Sequence, residues 1–137
     1  NPAEYTKLLE PIRNKEASVV YGARFKEKII GTSYFLHFIA NKMLTLATNI
    51  LFNSHLNDME TGYKVFPRII FEKLNIQADG FDFEPEITAK LLKRKIEICE
   101  IPIHFEPRNY EQGKKIKFRD AVIALWTLLR VRFSNKK

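Results

Sequence analysis

The 137-residue sequence predicts an α/β fold, a sheet layered with helices, and three observations carry that expectation. Strand-like and helix-like segments alternate along the chain. The length is one domain's worth and is enough to bury a core. The composition, 45% hydrophobic with 12% aromatic residues, is that of a globular chain rather than a disordered one.

The elements follow in order. Pro2 to Asn14 reads as a helix with Tyr5, Leu8, Leu9 and Ile12 toward one side. Ala17 to Phe25 reads as a strand, and its Val19-Val20-Tyr21 run suits a buried one. Lys26 to Ser33 is a polar loop. Tyr34 to Phe52 is a long helix, apolar on most faces but interrupted by Asn41, Lys42 and Asn49. Tyr63 to Phe66 is a short strand after a turn at Gly62. Pro67 to Leu74 is a short helix with proline in its first turn. Pro85 to Lys95 is a helix, and Ile96 to Phe105 is an alternating strand. Phe118 to Phe133 is the last helix, with Phe118, Val122, Leu125, Trp126, Leu129 and Phe133 at helical spacing. There is no internal repeat and no low-complexity segment.

Several function classes find no support in the sequence. Cys99 is the single cysteine, so no internal disulfide forms, and its apolar neighbours make it a buried strand thiol. His37, His55 and His104 lack ligand spacing, which argues against zinc. No P-loop, no Gly-x-Gly-x-x-Gly and no glycine-flanked serine nucleophile is found. Nothing at the start reads as a signal peptide, and no apolar run is expected to reach the roughly 18 residues of a membrane span.

The net charge of +7 is unevenly placed. Arg108 to Lys137 holds nine basic residues against Glu111 and Asp120, which is the whole excess. That asymmetry points to a polyanionic partner, such as a phosphate-bearing ligand, an anionic membrane face or nucleic acid. Nucleic acid is the weakest of these. Stacking aromatics should interleave with the charges, and Phe118, Trp126 and Phe133 fall on an apolar helix face instead.

Three polar clusters sit at element boundaries: Asp58-Met59-Glu60-Thr61-Gly62-Tyr63-Lys64-Val65-Phe66, Phe81-Asp82-Phe83-Glu84-Pro85-Glu86, and Arg108-Asn109-Tyr110-Glu111-Gln112-Gly113-Lys114-Lys115. Polar chemistry in α/β enzymes gathers at such strand mouths, so the three are expected to share one site. Arg24, after Val19-Val20-Tyr21-Gly22-Ala23, ends a buried strand, where a guanidinium can grip phosphate oxygens. Asp58 and Glu60 are candidates to assist a metal or orient a hydroxyl, and Thr61-Gly62 to bring backbone close to a sugar. Glu84 and Glu86 at a helix start favour the helix dipole. Between phenylalanines they are also expected to have raised pKa values.

The order of these motifs resembles family-2 glycosyltransferases, in particular the dolichyl-phosphate mannose synthases and related polyprenyl-phosphate glycosyltransferases. The resemblance rests on Val19 to Phe25, Asn41-Lys42, Asp58 to Phe66, Phe81 to Thr88 and Arg108 to Ile116, and covers nearly the whole chain. It implies the back half of a GT-A fold, a mixed sheet layered with helices, over residues 1–137. Residues 117–137 would be an amphipathic basic C-terminal helix. The family's Asp-x-Asp motif is missing from this sequence, so the front nucleotide-binding half is expected to be absent and the chain inactive alone. The implied activity is transfer of a sugar from a UDP- or GDP-linked donor to a polyprenyl phosphate. Mg²⁺ or Mn²⁺ would be held mainly by the absent half, with no metal ligand assigned here. The resemblance puts Asp58, Glu84 and Glu86 in catalytic roles and Arg24, Arg108 and Lys114 on phosphates. It puts Glu60, Thr61 and Gly62 at the sugar or acceptor. The implied place is the cytoplasmic face of a membrane, with an anionic lipid surface as partner. Two alternatives stand beside it: a saccharide or other non-lipid acceptor, which needs a true base such as Glu84 or Asp58, and a non-enzymatic nucleic-acid-binding domain.

Overall fold

The hub of the fold is β1 (Val19–Ala23), whose five residues are all buried. In the computed structural model, the described residues are 2–24, 32–104 and 117–135, with backbone alone for 32–34. Among them the chain forms α1 (Ala3–Arg13), β1, α2 (Thr32–Phe52), β2 (Lys64–Val65), α3 (Arg68–Leu74), α4 (Phe83–Lys93), β3 (Ile98–Pro102) and α5 (Phe118–Phe133). This is a mixed α/β arrangement with the sheet order β2-β1-β3.

β1 pairs antiparallel with β2, Tyr21 opposite Lys64, and parallel with β3, Tyr21 opposite Glu100. The parallel pair needs a long crossover, and α2, α3 and α4 supply it. Gly22 makes this close pairing possible. A Cβ there would lie 2.9 Å from Ile103 Cγ2 and 3.0 Å from Tyr63 Cβ, so any side chain would push the neighbours away.

Three apolar groups pack around the sheet. Val19, Tyr21, Leu74, Ile87 and Leu91 join β1 to α3 and α4. Leu8, Val20 and Ile103 fix α1 to the other face. Leu44, Met59, Ala89, Ala124, Leu128 and Val131 bind α2, α4 and α5 together. Cys99, expected to be a buried strand thiol, is only half-buried, because β3 is, among the described residues, an edge strand with one side open; it lies among the second group's neighbours, beside β1. Four helices end on a left-handed residue, Lys15, Asn53, Asn75 and Lys95, which turns the chain sharply after each last turn.

Two sequence expectations change. The helix expected from Pro85 begins at Phe83, because proline is tolerated in a first turn, where its missing N–H has no intrahelical partner to lose. The absence of a membrane-length apolar run also needs correction. Phe35–Phe52 is an 18-residue window of mean hydropathy 1.3, long and apolar enough to cross a membrane by length and composition. Asn41, Lys42 and Asn49 interrupt the run without offsetting its average. The inner side of α2 is nevertheless packed into the domain through Leu44, Thr45 and Thr48, as expected of a helix that belongs to the fold.

The outer sides of α2 and α5 are different. Leu36, Ile39, Met43, Leu46 and Ile50 of α2 are exposed, Met43 at 65% and Ile50 at 72%. On α5 the periodic stripe Phe118, Val122, Leu125, Trp126 and Phe133 faces outward, while Ala124, Thr127, Leu128 and Val131 face the core.

Candidate functional site

The segment Asn57–Gly62, between α2 and β2, is held from every neighbouring element. Arg24, just beyond β1, donates Nε to Asp58 Oδ2 at 2.7 Å and Nη2 to Oδ1 at 2.9 Å. Its backbone N–H reaches Oδ2 at 3.1 Å, and Asn41 Nδ2 of α2 donates to Oδ1 at 3.1 Å. Burial pushes the Asp58 carboxyl up, but these bonds outweigh it and hold the pKa below the usual carboxylate value. Glu100 of β3 accepts the N–H groups of Asn57 at 2.8 Å and Asp58 at 3.0 Å, and Asn57 Nδ2 at 2.8 Å. Thr45 Oγ1 of α2 accepts the Met59 N–H at 3.2 Å. Thr61 donates its hydroxyl to the Gly22 carbonyl at 2.5 Å.

Lys64 of β2 is the second organiser, with its side chain only 6% exposed. Its ammonium donates to the carbonyls of Met59, at 3.1 Å, and Thr61. It also pairs with Glu84 in the first turn of α4 and lies 4.7 Å from the Tyr21 ring centroid. Burial lowers the Lys64 pKa, against the pull of Glu84, Glu60 and Asp58. Beneath it, the Tyr21 hydroxyl shares a 2.9 Å hydrogen bond with Thr88, and burial pushes its pKa far up, so it stays neutral.

Glu60 lies in the same field. Its Oε1 is buried and has no hydrogen-bond partner among the described residues. Burial is the main reason its pKa rises to about 7; Lys64 and Arg24 oppose the rise, while Glu84 and Asp58 add to it.

Asp58, Glu60, Thr61, Glu84 and Arg24 therefore lie together, which brings two of the three boundary clusters side by side; the third lies outside the described residues. Arg24 was expected on a phosphate, and here two of its side-chain N–H groups engage Asp58. Glu86 does not join the group. It accepts from the N–H groups of Ala78 at 2.7 Å and Gln77 at 3.2 Å, and from Lys90 at 2.5 Å. Burial raises its pKa, but these partners outweigh it and the net shift is downward, opposite to the direction expected for the Phe-flanked pair. Gly62 is exposed, and a Cβ there would meet nothing within 4 Å, so packing among the described residues does not demand a glycine. Arg108 and Lys114 lie outside the described residues. Sequence reasoning assigned no role to Lys64, Thr45 or Glu100. The polar break Asn41-Lys42 in an apolar helix was the signal available: Asn41 meets Asp58, and Lys42 Nζ donates to the Asn57 carbonyl at 3.0 Å. Among the described residues, no three His, Cys, Asp or Glu side chains converge to hold a metal ion.

A mixed α/β domain with carboxylates and buried cations at the end of its central strand is compatible with a glycosyltransferase, and sequence comparison gives related proteins of that class. One is the low-salt glycan biosynthesis hexosyltransferase Agl6 of Haloferax volcanii, 30% identical over 110 residues, covering 79% of this chain and 27% of the relative. Another is the glycosyltransferase AglJ of the same organism, 28% identical over 103 residues, covering 75% of this chain and 34% of the relative. The chain thus spans about a third or less of the length of the curated relatives it matches. No protein-family model matches it, and no solved structure matches it significantly.

Proposed function

We propose that this chain forms the acceptor side of a GT-A, family-2 glycosyltransferase that moves a sugar from a UDP- or GDP-linked donor to a polyprenyl phosphate. The observation that carries the reading is α2, which joins two kinds of surface. Its inner side places Asn41 and Thr45 on the Asp58–Met59 turn. Its outer side is an exposed apolar stripe, echoed on α5 by Phe118, Trp126 and Phe133. A lipid-linked acceptor needs such a pairing, a polar site for its phosphate beside an apolar seat for its chain and the membrane. The relatives named as glycosyltransferases support sugar transfer in general and do not favour a nucleic-acid-binding domain.

A phosphate acceptor is already an anion and needs little base assistance. The protein's work is then to position it and to offset charge repulsion with the donor diphosphate. Arg24 and Lys64 are engaged by Asp58 and Glu84 and order the turn, so this reading looks to Arg108 and Lys114 for the positive charge that meets phosphate. A divalent ion, Mg²⁺ or Mn²⁺, would offset charge on the donor diphosphate. The described residues do not fit it, since Asp58 already receives bonds from Arg24 and Asn41. Its ligands are expected outside this chain, at an Asp-x-Asp that the sequence lacks.

The alternative, a saccharide acceptor, needs a general base. Asp58 is poorly suited, because its partners stabilise the ionised form; the raised pKa of Glu60 favours that residue instead.

The test is an acceptor panel with the full-length enzyme, a labelled nucleotide sugar and Mn²⁺. Label should move to polyprenyl phosphate and extract into organic solvent, whereas transfer to free saccharides alone would overturn the lipid reading. The chain by itself should give no multiple turnover. In co-sedimentation, anionic vesicles should capture the protein better than neutral ones, and indifference to lipid charge would remove the membrane seat.

A further inference from the structure

The side of α2 that meets the turn is a polar ladder. Asn41, Thr45 and Asn49 lie four residues apart and so share one side of the helix. Asn41 Nδ2 donates to Asp58 Oδ1, and Thr45 Oγ1 accepts the Met59 N–H. Asn49 Oδ1 accepts the Leu56 N–H at 2.9 Å, and its Nδ2 donates to the Leu56 carbonyl at 2.9 Å. Lys42 Nζ adds a bond to the Asn57 carbonyl. Leu56, Asn57, Asp58 and Met59 are thus all held by one helix. The same helix turns Leu36, Ile39, Met43, Leu46 and Ile50 outward at the helical period.

Charge indicates what covers that outer stripe. α5 packs on α2 through Leu44, Ala124, Leu128 and Val131, and Arg132 Nε donates to the Leu51 carbonyl. The exposed stripe of α5, with Trp126 in it, has Arg119 and Arg130 along one margin and Arg132 along the other. Asp120 is the one acid in the sequence of the two helices, against Lys42, Arg119, Arg130 and Arg132. Apolar stripes with tryptophan and arginine at their margins fit an anionic lipid surface. α2 would lie along that surface, since crossing a bilayer would strip Asn41, Thr45 and Asn49 from their partners.

We infer that α2 makes the candidate site responsive to the membrane. Seating the outward stripe on anionic lipid fixes the helix and, through the ladder of Asn41, Thr45 and Asn49, the turn that carries Asp58 and Glu60. The inference rests on the membrane seat of the reading above and adds regulation to it. A lipid surface that favours the helix as it stands also favours the bonds the helix makes, and a formed turn in return tightens lipid binding.

Site-resolved hydrogen exchange on the full-length protein tests this, with and without vesicles of equal parts phosphatidylglycerol and phosphatidylcholine. The Leu56 and Met59 amides, bonded to Asn49 and Thr45, should exchange about tenfold more slowly on the vesicles, the ordinary size of a coupling between two sites. The amides of Gln77 and Ala78, held by Glu86, should not change. Leu46→Gln combined with Ile50→Gln, both on the exposed stripe, should abolish the slowing and leave exchange off the vesicles as in wild type. Binding without slowing at Leu56 and Met59, or slowing as large at Gln77 and Ala78, overturns the coupling and spares the membrane seat. Slowing that survives in the stripe variant overturns the role of α2. If the protein does not bind the vesicles, the seat falls and this inference falls with it.

Discussion

Two carboxylate nodes flank the start of α4, and they differ in how completely their charge is answered. At one, Glu86 receives two backbone N–H groups and Lys90, and its pKa is lowered despite burial. At the other, Glu84 leans on Lys64, which two carbonyls of the turn also share, and Glu60 stands nearby with a buried oxygen unanswered. Both nodes lie near the same helix start, so the dipole does not separate them. The difference lies in partner count. A carboxylate whose two oxygens are both engaged by the fold holds the fold together. One that the fold leaves short is a place where a ligand can complete the set.

The largest expected effect comes from removing the filled node. Glu86→Ala leaves the N–H groups of Gln77 and Ala78 without their acceptor and the Lys90 ammonium with only the Asn75 carbonyl. It should cost about 2–3 kcal/mol in denaturant unfolding. A cost below about 1 kcal/mol would break the comparison, because Glu86 would then be no anchor.

The pH dependence of stability separates the nodes next. Asp58 and Glu86 have lowered folded-state values, so their contribution is present above the ordinary carboxylate range and is lost as pH falls through and below it. Glu60 has the opposite sign. Between the ordinary glutamate value of 4.5 and about 7, the folded protein holds a proton that the unfolded chain releases. Stability therefore falls as pH rises across that window and stays lower above it. Glu60→Gln should flatten this neutral limb, adding about 3 kcal/mol at pH 8, and leave the acid limb unchanged. Thermal melts from pH 3 to 8 would show both limbs, and an unchanged neutral limb would mean that Glu60 is not the odd charge.

The smallest effect is a control at the far end of α4. Lys95 holds a left-handed φ of 59°, which glycine adopts without a Cβ penalty. Lys95→Gly should raise stability by about 0.5–1 kcal/mol in the same unfolding assay, with both pH limbs retained. A shifted neutral limb would show that strain at the helix end reaches Glu60.

Much of the fold was legible in the sequence. The periodic run of Phe118–Phe133 gave α5 its bounds, and Val19-Val20-Tyr21 marked the buried centre of the sheet. Of the site, the gathering of Asp58, Glu60, Thr61 and Glu84 could be read from motif order. Their partners could not, because those contacts are long-range: Arg24 and Asp58 are 34 residues apart, and Asp58 and Glu100 are 42. Which side of α5 faces the core was also hidden. The larger apolar residues faced out, and the smaller Ala124, Thr127 and Val131, with Leu128, faced in. The parting of Glu84 from Glu86 had a signal that went unused. Two residues apart on a helix is about 200° of rotation, so the two side chains cannot serve one site.

The hold of Glu100 on Asn57 and Asp58 has a consequence in time as well as space. The turn takes its shape from a strand more than forty residues later in the chain. Closing so long a loop is slow compared with forming α2 or a hairpin. A growing chain that has reached α4 already contains Arg24, Asn41, Asp58 and Lys64, yet lacks the acceptor that orders the turn's backbone. The chemistry-bearing segment is thus among the last parts to set, and its order reports that the sheet is complete.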